Sequence, residues 1–203
     1  MGRSGSTLLF NSIIDACIRT NYKLIPYNLA YKIVHSSHGF DLKNTRFHNG
    51  MVYKTHGFPS QISHDYNNLN VIFIYGSCFE AVRSVLSCQK QYGDKWINKH
   101  LKNLSSPENF NSILEKDVLQ IEKQIKEWSN QSRFRTLYVR FDEIWNFQGE
   151  ISDFLELNIK LPKQRSRSDK SFLSQYDNSK LANTYGALEN FIDSIPVFQI
   201  LNK

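Results

Sequence analysis

The 203-residue chain has little cysteine, proline or glycine and no long apolar run, and each scarcity excludes a class of protein. Its three cysteines are too few for a disulfide framework and form no CxxC pair, which favours a reducing, cytoplasmic location. Five prolines and nine glycines argue against collagen-like and low-complexity chains. The longest strongly apolar runs, such as residues 71–75, fall far short of the roughly 20 residues that span a bilayer. The sequence therefore predicts one globular domain over residues 1–203, with no membrane span.

The net charge is modest and mixed in sign. Lys and Arg total 25 against 19 Asp and Glu, which gives a formal charge of +6. A small positive excess suits a protein that handles anions, but the acidic residues are interspersed throughout, so it is weak support for nucleic-acid binding. The sequence also holds no acidic cluster of the kind that binds a metal. We expect neither nucleic acid nor a metal ion as a partner.

Apolar spacing predicts strands that alternate with helices. Helices are predicted where apolar residues recur every three or four positions, and strands where short β-branched or aromatic runs occur. The predicted helices are 6–20, 80–91, 106–128, 144–155 and 181–192, and the predicted strands are 51–55, 71–75 and 136–141. This alternation predicts an α/β fold of three layers, α/β/α, with a central parallel sheet. Ligands of such sheets bind at the carboxyl ends of the strands.

The first chemical signal is the GRSGST segment at residues 2–7, which leads directly into the first predicted helix. Backbone N–H groups and the positive end of a helix dipole would converge there beside the segment's hydroxyls and a guanidinium, and this is an anion cradle. The segment is not a Walker A loop, because no lysine follows Gly5. ATP hydrolysis thereby loses its main support, although a glycine-containing flexible terminus remains an alternative.

A second signal, KTHGFP at residues 54–59, follows the predicted strand 51–55. A neutral His56 at a strand end can take a proton from an acceptor hydroxyl, and Lys54 can stabilise charge that develops on a leaving oxygen. The alternative is that Lys54 and His56 lie in an ordinary surface turn without a function. The pair supports a functional site only together with GRSGST.

The two segments in this order resemble the motifs of sulfotransferases that use 3′-phosphoadenosine 5′-phosphosulfate (PAPS). GRSGSTLL is similar to the 5′-phosphosulfate loop, P-[KR]-[ST]-G-[ST]-[ST], and YKTHGFP is similar to the KTHxP segment. The resemblance implies a P-loop-NTPase-like sulfotransferase fold. It also implies PAPS as the sulfuryl donor, and a hydroxyl or amine of a small-molecule or carbohydrate acceptor as the partner.

Two further segments resemble the family more loosely. VIFIYGSCFEAVRSVLS looks like the strand and helix of the 3′-phosphate site, with Ser84 on the motif's serine and Glu80 on its acidic position. Gly76 replaces the motif's arginine and Cys78 its proline, and this is the main departure. LYVRFDEI at 137–144 is similar to a later strand and helix start of the family, and we take it as structural support only.

The resemblance assigns roles residue by residue. It implies that the 5′-phosphosulfate is held by Arg3, Ser4, Gly5, Ser6 and Thr7. Lys54, His56 and Arg3 would act at the sulfuryl group, with His56 as the general base, and Ser84 would contact the 3′-phosphate. If Gly76 cannot supply that contact, the basic loop KLPKQRSRSDK at 160–170 offers Arg165 and Arg167, although such a loop is more often simply solvated.

Three function classes stay open. A sulfotransferase is the leading hypothesis, a non-catalytic sulfotransferase-like protein that binds a partner or only 3′-phosphoadenosine 5′-phosphate (PAP) is the second, and a P-loop nucleotide or nucleoside kinase is the third. The family places a strand ahead of its phosphate loop, whereas only Met1 precedes Gly2, so we expect the first strand to be missing. The acceptor cannot be identified from the sequence, because its pocket is built from loops.

Overall fold

The computed structural model describes residues 5–36, 42–66, 68–164 and 173–201. Over these residues the chain forms six α-helices and five β-strands, joined by loops and short 3-10 turns. The helices are α1 (Ser6–Asn21), α2 (Tyr27–Val34), α3 (Cys78–Asn103), α4 (Ile121–Asn130), α5 (Gln148–Leu155) and α6 (Gln175–Ser194). The strands are β1 (His35–Ser36), β2 (Val52–Tyr53), β3 (Asn70–Tyr75), β4 (Arg135–Arg140) and β5 (Phe198–Leu201).

The described strands form two separate sheets. β1 pairs with β2 in parallel over two residues. β3 pairs with β4 in parallel, in a register that runs from Asn70 opposite Arg135 to Tyr75 opposite Arg140. β5 then adds to the other edge of β4 in the antiparallel direction. β2 and β3 each keep one edge without a described strand partner.

Helices cover both faces of the β3-β4-β5 sheet. Successive side chains of each strand point to opposite sides, so each strand contributes to two cores. On one face, Phe73 and Tyr138 lie 5.2 Å apart between ring centroids and pack in a core with residues of α3, α4 and α6. On the other face, Ile74 and Leu137 pack with α1 and α5. A third small cluster joins α1 to α2 through Ala30 and its neighbours.

The α/β class predicted from the sequence is confirmed at this level. The predicted strand 71–75 lies within β3, 136–141 overlaps β4, and the predicted first helix 6–20 is α1. The predicted sheet was wholly parallel, and the described one is mixed, because β5 runs antiparallel to β4. The sequence analysis missed β5, which follows Pro196 after only one residue, and it also missed α2 and β1.

The predicted helix over 106–128 is wrong in its first half. Residues 106–120 form turns and a 3-10 segment, and α4 begins only at Ile121. Two residues with positive φ bracket this stretch, Ser105 at 52° and Gln120 at 54°, and neither fits a continuous right-handed helix. The Tyr185 hydroxyl lies 2.9 Å from the carbonyl oxygen of Ile113 and 2.8 Å from that of Lys116. These contacts to α6 hold the apolar side chains of the stretch in the core without a helix.

The three cysteines are buried free thiols on two helices. Cys17 lies on α1 against α2, and Cys78 and Cys88 lie on α3. Burial raises the pKa of the Cys17 thiol, and burial together with the Glu189 carboxylate raises the pKa of the Cys78 thiol.

Candidate functional site

The N-terminus of α1 is built on Gly5, which no other residue could replace without strain. Its φ of +71° lies in the left-handed region, which L side chains rarely adopt. A Cβ atom on Gly5 would come within 1.7 Å of Cε2 of the Phe141 ring. The chain therefore needs glycine at this point both for its backbone conformation and for the close approach of Phe141.

The first turn of α1 begins directly after Gly5. The N–H of Leu8 donates to the carbonyl of Gly5 at 2.9 Å, no side chain among the described residues caps the helix, and the first turn contains no acidic residue. The first N–H groups of a helix have no partner inside it, and the helix dipole places positive potential there. An anion at this position would meet both effects, and Ser6 and Thr7 would add their hydroxyls.

Lys54 lies directly against this helix start. Its Nζ donates a hydrogen bond to Oγ1 of Thr7, which joins two residues 47 positions apart in the sequence. Because Lys54 follows β2 and Thr7 lies in the first turn of α1, the contact places a cation at the positive end of a helix. A phosphate or sulfate group at this point would be attracted by both positive features.

The segment that carries Lys54 and His56 is fixed by neighbouring hydrogen bonds. The N–H of Gly57 donates to Oγ1 of Thr55 at 2.8 Å, and Nε1 of Trp128 donates to the carbonyl of Gly57 at 3.1 Å. A Cβ atom on Gly57 would lie 2.5 Å from Oε1 of Gln61 and 2.7 Å from Cδ1 of Leu42, so a larger residue here would displace these side chains. The turn after β2 is thus held against α4, which orients His56.

His56 is kept neutral by its surroundings. Burial, together with the positive charges of His100 and Lys54, lowers its pKa from the usual 6.5 to about 2. The ring of His100 lies 5.9 Å from that of His56 at an interplanar angle of 70°, and it stacks on Trp96 at 4.9 Å. At neutral pH the imidazole of His56 therefore has a nitrogen that can accept a proton.

The carboxyl ends of three strands meet around the start of α1. Lys54 follows β2 and contacts Thr7. Phe141 follows β4 and its ring covers Gly5, while a Cβ on Gly76, which follows β3, would lie 3.8 Å from Cβ of Phe141. This is the position at which parallel α/β sheets bind ligands. The structure thus brings Gly5, Thr7 and Lys54 together, with His56 two residues further along the chain.

An apolar cavity of about 380 Å³ extends from this point along the sheet. Its lining includes the consecutive residues 47–57, around β2, and 68–74, which run into β3. Leu9, Phe10 and Ile13 of α1 close one face of it, and Leu42, Ile62 and Trp128 close the other. Lys54 and His56 lie along the same wall.

The segment assigned to the 3′-phosphate leads into the N-terminus of α3. The N-terminus of α3 is capped by Ser77, whose Oγ accepts from the N–H of Glu80 at 3.2 Å. Oε2 of Glu189 accepts from the N–H of Cys78 at 2.7 Å and from its thiol at 2.8 Å. A carboxylate of the chain itself thus lies at this helix end. Ser84 is half-buried in the second turn of α3.

Two arginines near these segments bind carboxylates or amides of α6 and its surroundings. Arg83 donates to Oε1 of Glu80 at 3.1 Å and to Oδ1 of Asn178 at 3.2 Å. Arg140 of the LYVRFDEI segment lies 2.8 Å from Oδ1 of Asp193 and 3.2 Å from Asp142. Both guanidinium groups support the packing of α6 in the described structure.

Four of the predicted site residues lie outside the described residues, namely Arg3, Ser4, Arg165 and Arg167. Among the residues that are described, no group of three or more His, Cys, Asp or Glu side chains is arranged to hold a metal ion. The helices within the same ranges include none that is long and apolar enough to cross a bilayer.

Sequence reasoning missed three residues that shape this region, namely His100, Phe141 and Glu189. The signal for His100 was its spacing of four from Trp96, which places both side chains on one helix face. Phe141 was noted only as part of a structural motif, and its contact with Gly5 joins segments 136 residues apart. Nothing in the sequence around Glu189 indicated that it would reach the start of α3.

Comparisons of the chain with protein families, with curated proteins and with solved structures gave no match.

Proposed function

We propose that the chain is a sulfotransferase that moves the sulfuryl group of PAPS to a hydroxyl or amine of a small-molecule or carbohydrate acceptor. The observation that carries the proposal is the contact of Lys54 with Thr7, with His56 two residues away. Two sequence segments that resemble separate motifs of one family meet at a single point, where the donor's sulfuryl end would bind. Chance similarity of short motifs gives no reason for them to meet.

Each described residue has a role in the proposed reaction. The N–H groups at the start of α1, with Ser6 and Thr7, bind the 5′-phosphosulfate. The acceptor oxygen or nitrogen attacks sulfur, and the bond between sulfur and the bridging phosphate oxygen breaks, leaving its electron pair on PAP. Lys54 neutralises the charge on that oxygen, and the acceptor's proton passes to His56. No metal is required, because the cations are provided by side chains.

The low pKa of His56 suits a base that is activated by its substrate. At a pKa of about 2 the free imidazole is neutral but only weakly basic. A polyanionic donor beside it adds negative charge, which favours the protonated form and raises the pKa toward its usual value. His56 would thus gain basicity only when PAPS is bound.

The architecture supports the same proposal. β3 and β4 are parallel, helices cover both faces of the sheet, and α1 follows a glycine loop beside the strand ends. We propose that this is a P-loop-NTPase-like sulfotransferase fold. A nucleotide kinase is the weaker alternative, because Ser6 stands where a Walker A loop has its lysine.

A second candidate function is PAP binding without sulfuryl transfer. It is favoured by the start of α3, where Glu189 accepts from Cys78 and Gly76 stands in place of the motif's arginine. Both features weaken a 3′-phosphate site, because a carboxylate repels the phosphate and glycine offers no charge, so they lower the affinity for PAPS as well as for PAP and favour a chain that no longer turns over PAPS efficiently. Such a protein would keep the Lys54 contact but gain nothing from His56.

The experiment that separates these proposals is a titration followed by a transfer assay. Thermal unfolding is measured with PAP and, separately, with ATP and magnesium, since a ligand at about 100 times its Kd stabilises by about 2.7 kcal/mol. PAP release from PAPS is then followed with a panel of hydroxyl, amine and carbohydrate acceptors. Stabilisation by PAP with transfer supports the sulfotransferase, and stabilisation without transfer to any acceptor supports the second candidate. No stabilisation by PAP contradicts both.

His56→Ala tests the base directly. We expect this variant to lose nearly all transfer while its affinity for PAP changes little, because His56 faces the sulfuryl end of the donor. An equal loss of PAP binding would make His56 a structural residue. Circular dichroism of the variant shows whether the fold is retained.

A further inference from the structure

We propose that α2 and the turn before it form a docking surface for a membrane that carries anionic lipids. This inference is independent of the proposed function. It rests on a group of exposed apolar side chains in a stretch of chain without acidic residues. The group is called the α2 patch here and consists of Leu24, Ile25, Tyr27, Leu29 and Ile33.

The α2 patch concentrates exposed apolar surface in one short part of the chain. Nine large hydrophobic side chains are exposed among the described residues, and five of these nine belong to the patch. Leu24 is 100% exposed and Leu29 is 54% exposed. Scattered exposed hydrophobic residues are normal on a protein surface, whereas a group of them marks an interaction site. A partner that covers apolar groups is therefore expected at this surface.

The fold leaves one face of α2 outside the core. Ala30 and Val34 lie four positions apart on one side of the helix, and both are fully buried against α1. Leu29 and Ile33 have the same spacing, but each precedes a buried residue and so lies about 100° away around the helix. These two side chains share an exposed face that does not contribute to the packing of α2 on α1.

The turn before α2 presents the most exposed side chain of the patch. The N–H of Ile25 donates to the carbonyl of Tyr22 at 3.0 Å, which closes the turn around Leu24. Tyr27 follows, about half exposed, and its hydroxyl donates to Oδ1 of Asp15 at 2.5 Å. Projecting aliphatic side chains beside a tyrosine with a polar end suit the interfacial region of a bilayer.

The charge around the α2 patch is positive. Residues 16–40 contain no Asp or Glu, and the exposed cations among them are Arg19, Lys23 and Lys32. Asp15, just before this stretch, binds the Tyr27 hydroxyl. Anionic lipid headgroups attract basic residues, and lysine stems can lie along apolar surface while the ammonium groups reach the headgroups. The combination of apolar and basic side chains therefore favours an anionic bilayer surface.

A second copy of the chain fits this surface less well. In a twofold dimer the same surface of both copies meets, so Lys23 and Lys32 would come close to their own counterparts. The sequence of α2 contains no acidic residue that could pair with them. Like charges that meet at an interface oppose association. A bilayer supplies the opposite charge and needs no matching pocket for Leu24.

The test measures how the intact chain floats with lipid vesicles. One set of vesicles is phosphatidylcholine alone, and the other also contains about 30% phosphatidylserine. We expect about tenfold tighter binding to the anionic set, because each basic residue near the surface adds to the attraction. Raising NaCl from about 0.1 M to about 1 M should weaken this binding, since the Debye length falls from about 10 Å to about 3 Å. Equal binding to both sets, or binding to neither, would overturn the proposal.

Two substitutions assign the binding to the α2 patch and its charges. Leu24→Ser should weaken binding to anionic vesicles by about tenfold, and Lys32→Gln by about fivefold. Both side chains are exposed, so neither change removes a core contact. The matched controls are Tyr92→Ser and Lys95→Gln at exposed positions of α3, and they should bind as the unchanged chain does. Equal losses in the controls would show that another surface binds the vesicles and would contradict the proposal.

A fluorescence measurement tests insertion without loss of apolar surface. Leu24→Trp should keep the affinity for anionic vesicles, and lipids with brominated acyl chains should quench its fluorescence more than that of Tyr92→Trp. Equal quenching of the two variants would contradict insertion at the α2 patch. Sedimentation without lipid tests the other occupant, because a dimer that Leu24→Ser dissociates would make a second copy the partner and overturn the proposal.

Discussion

The ring of Phe141 lies in the space that any side chain at position 5 would need. A Cβ atom on Gly5 would be 1.7 Å from Cε2 of that ring, so the loop before α1 and the turn after β4 are packed directly against each other. The contact fixes where the first N–H groups of α1 lie relative to the strand ends. It also means that mutations can separate the energetic cost of the positive φ at Gly5 from the cost of a clash with Phe141.

Gly5→Ala should lower the free energy of unfolding by about 2–5 kcal/mol, because a positive φ costs about 1–2 kcal/mol and overpacking costs about 1–3 kcal/mol. Urea denaturation measures the change. The matched control is Gly50→Ala, where φ is +78° but no atom lies within 4 Å of the added Cβ, so only the backbone cost of about 1–2 kcal/mol is expected. In a Phe141→Ala background the effect of Gly5→Ala should shrink to the control's value. An unchanged effect in that background would contradict the packing argument.

Lys54→Met should weaken PAP binding by about 10- to 100-fold, which corresponds to the 1.5–3 kcal/mol typical of a charged hydrogen bond. The reason is that Lys54 is the described cation that contacts Thr7 at the start of α1. Isothermal titration calorimetry gives the affinity, and Lys43→Met, at an exposed loop lysine, is the control. If both variants bind PAP equally well, the cradle at α1 is not the PAP site.

Gly76→Arg should raise the affinity for PAP by about tenfold, or about 1.4 kcal/mol, because it restores the cation that the resembled motif has at this position. Space is available, since the nearest atom to an added Cβ is Cβ of Phe141 at 3.8 Å and the φ of Gly76 is not positive. Gly76→Gln, of similar length but uncharged, is the matched control.

Adenosine 5′-phosphate, which lacks the 3′-phosphate, should gain nothing from Gly76→Arg. A gain for both nucleotides would show that the new arginine binds another part of the ligand. No gain for either would place the 3′-phosphate away from the start of α3, where Glu189 lies.

Stability should rise with pH between about 4 and 6.5 because of His56. Its pKa is lowered to about 2 in the folded protein, so the unfolded chain, with a pKa near 6.5, binds the additional proton in this window. The free energy of unfolding therefore increases with pH, by up to about 1.4 kcal/mol per pH unit for one group. His56→Gln should flatten this dependence, and His64→Gln, at an exposed histidine, should leave it unchanged. Equal slopes in both variants would show that other groups cause the pH dependence.

The local elements with continuous apolar character were predictable from the sequence. β3 is an uninterrupted β-branched and aromatic run, and α1 follows directly after a glycine, so both were found within one or two residues. The predicted helix over 106–128 failed in its first half, although the apolar residues there recur at helical spacing. Residue pairs such as Tyr185 with Ile113 decide the conformation of that stretch, and they are 72 positions apart.

The candidate site also has a part that could be predicted from the sequence and a part that could not. Gly5, Thr7, Lys54 and His56 were selected as residue types with suitable chemistry, and their order along the chain suggested that they belong together. The pKa of His56 could not be foreseen, because it depends on burial and on His100 of α3, which is 44 positions away in the sequence. The carboxylate of Glu189 at the start of α3 likewise arises only from the packing of α6 on α3.

Chemical modification of the buried thiols would report local opening of the chain. A maleimide reagent can modify Cys17 only when α1 separates from α2, and Cys78 only when α3 moves away from Glu189. Each raised thiol pKa further slows modification in the closed state. Mass spectrometry of alkylated peptides over time would therefore rank the opening of two parts of the molecule without any introduced label.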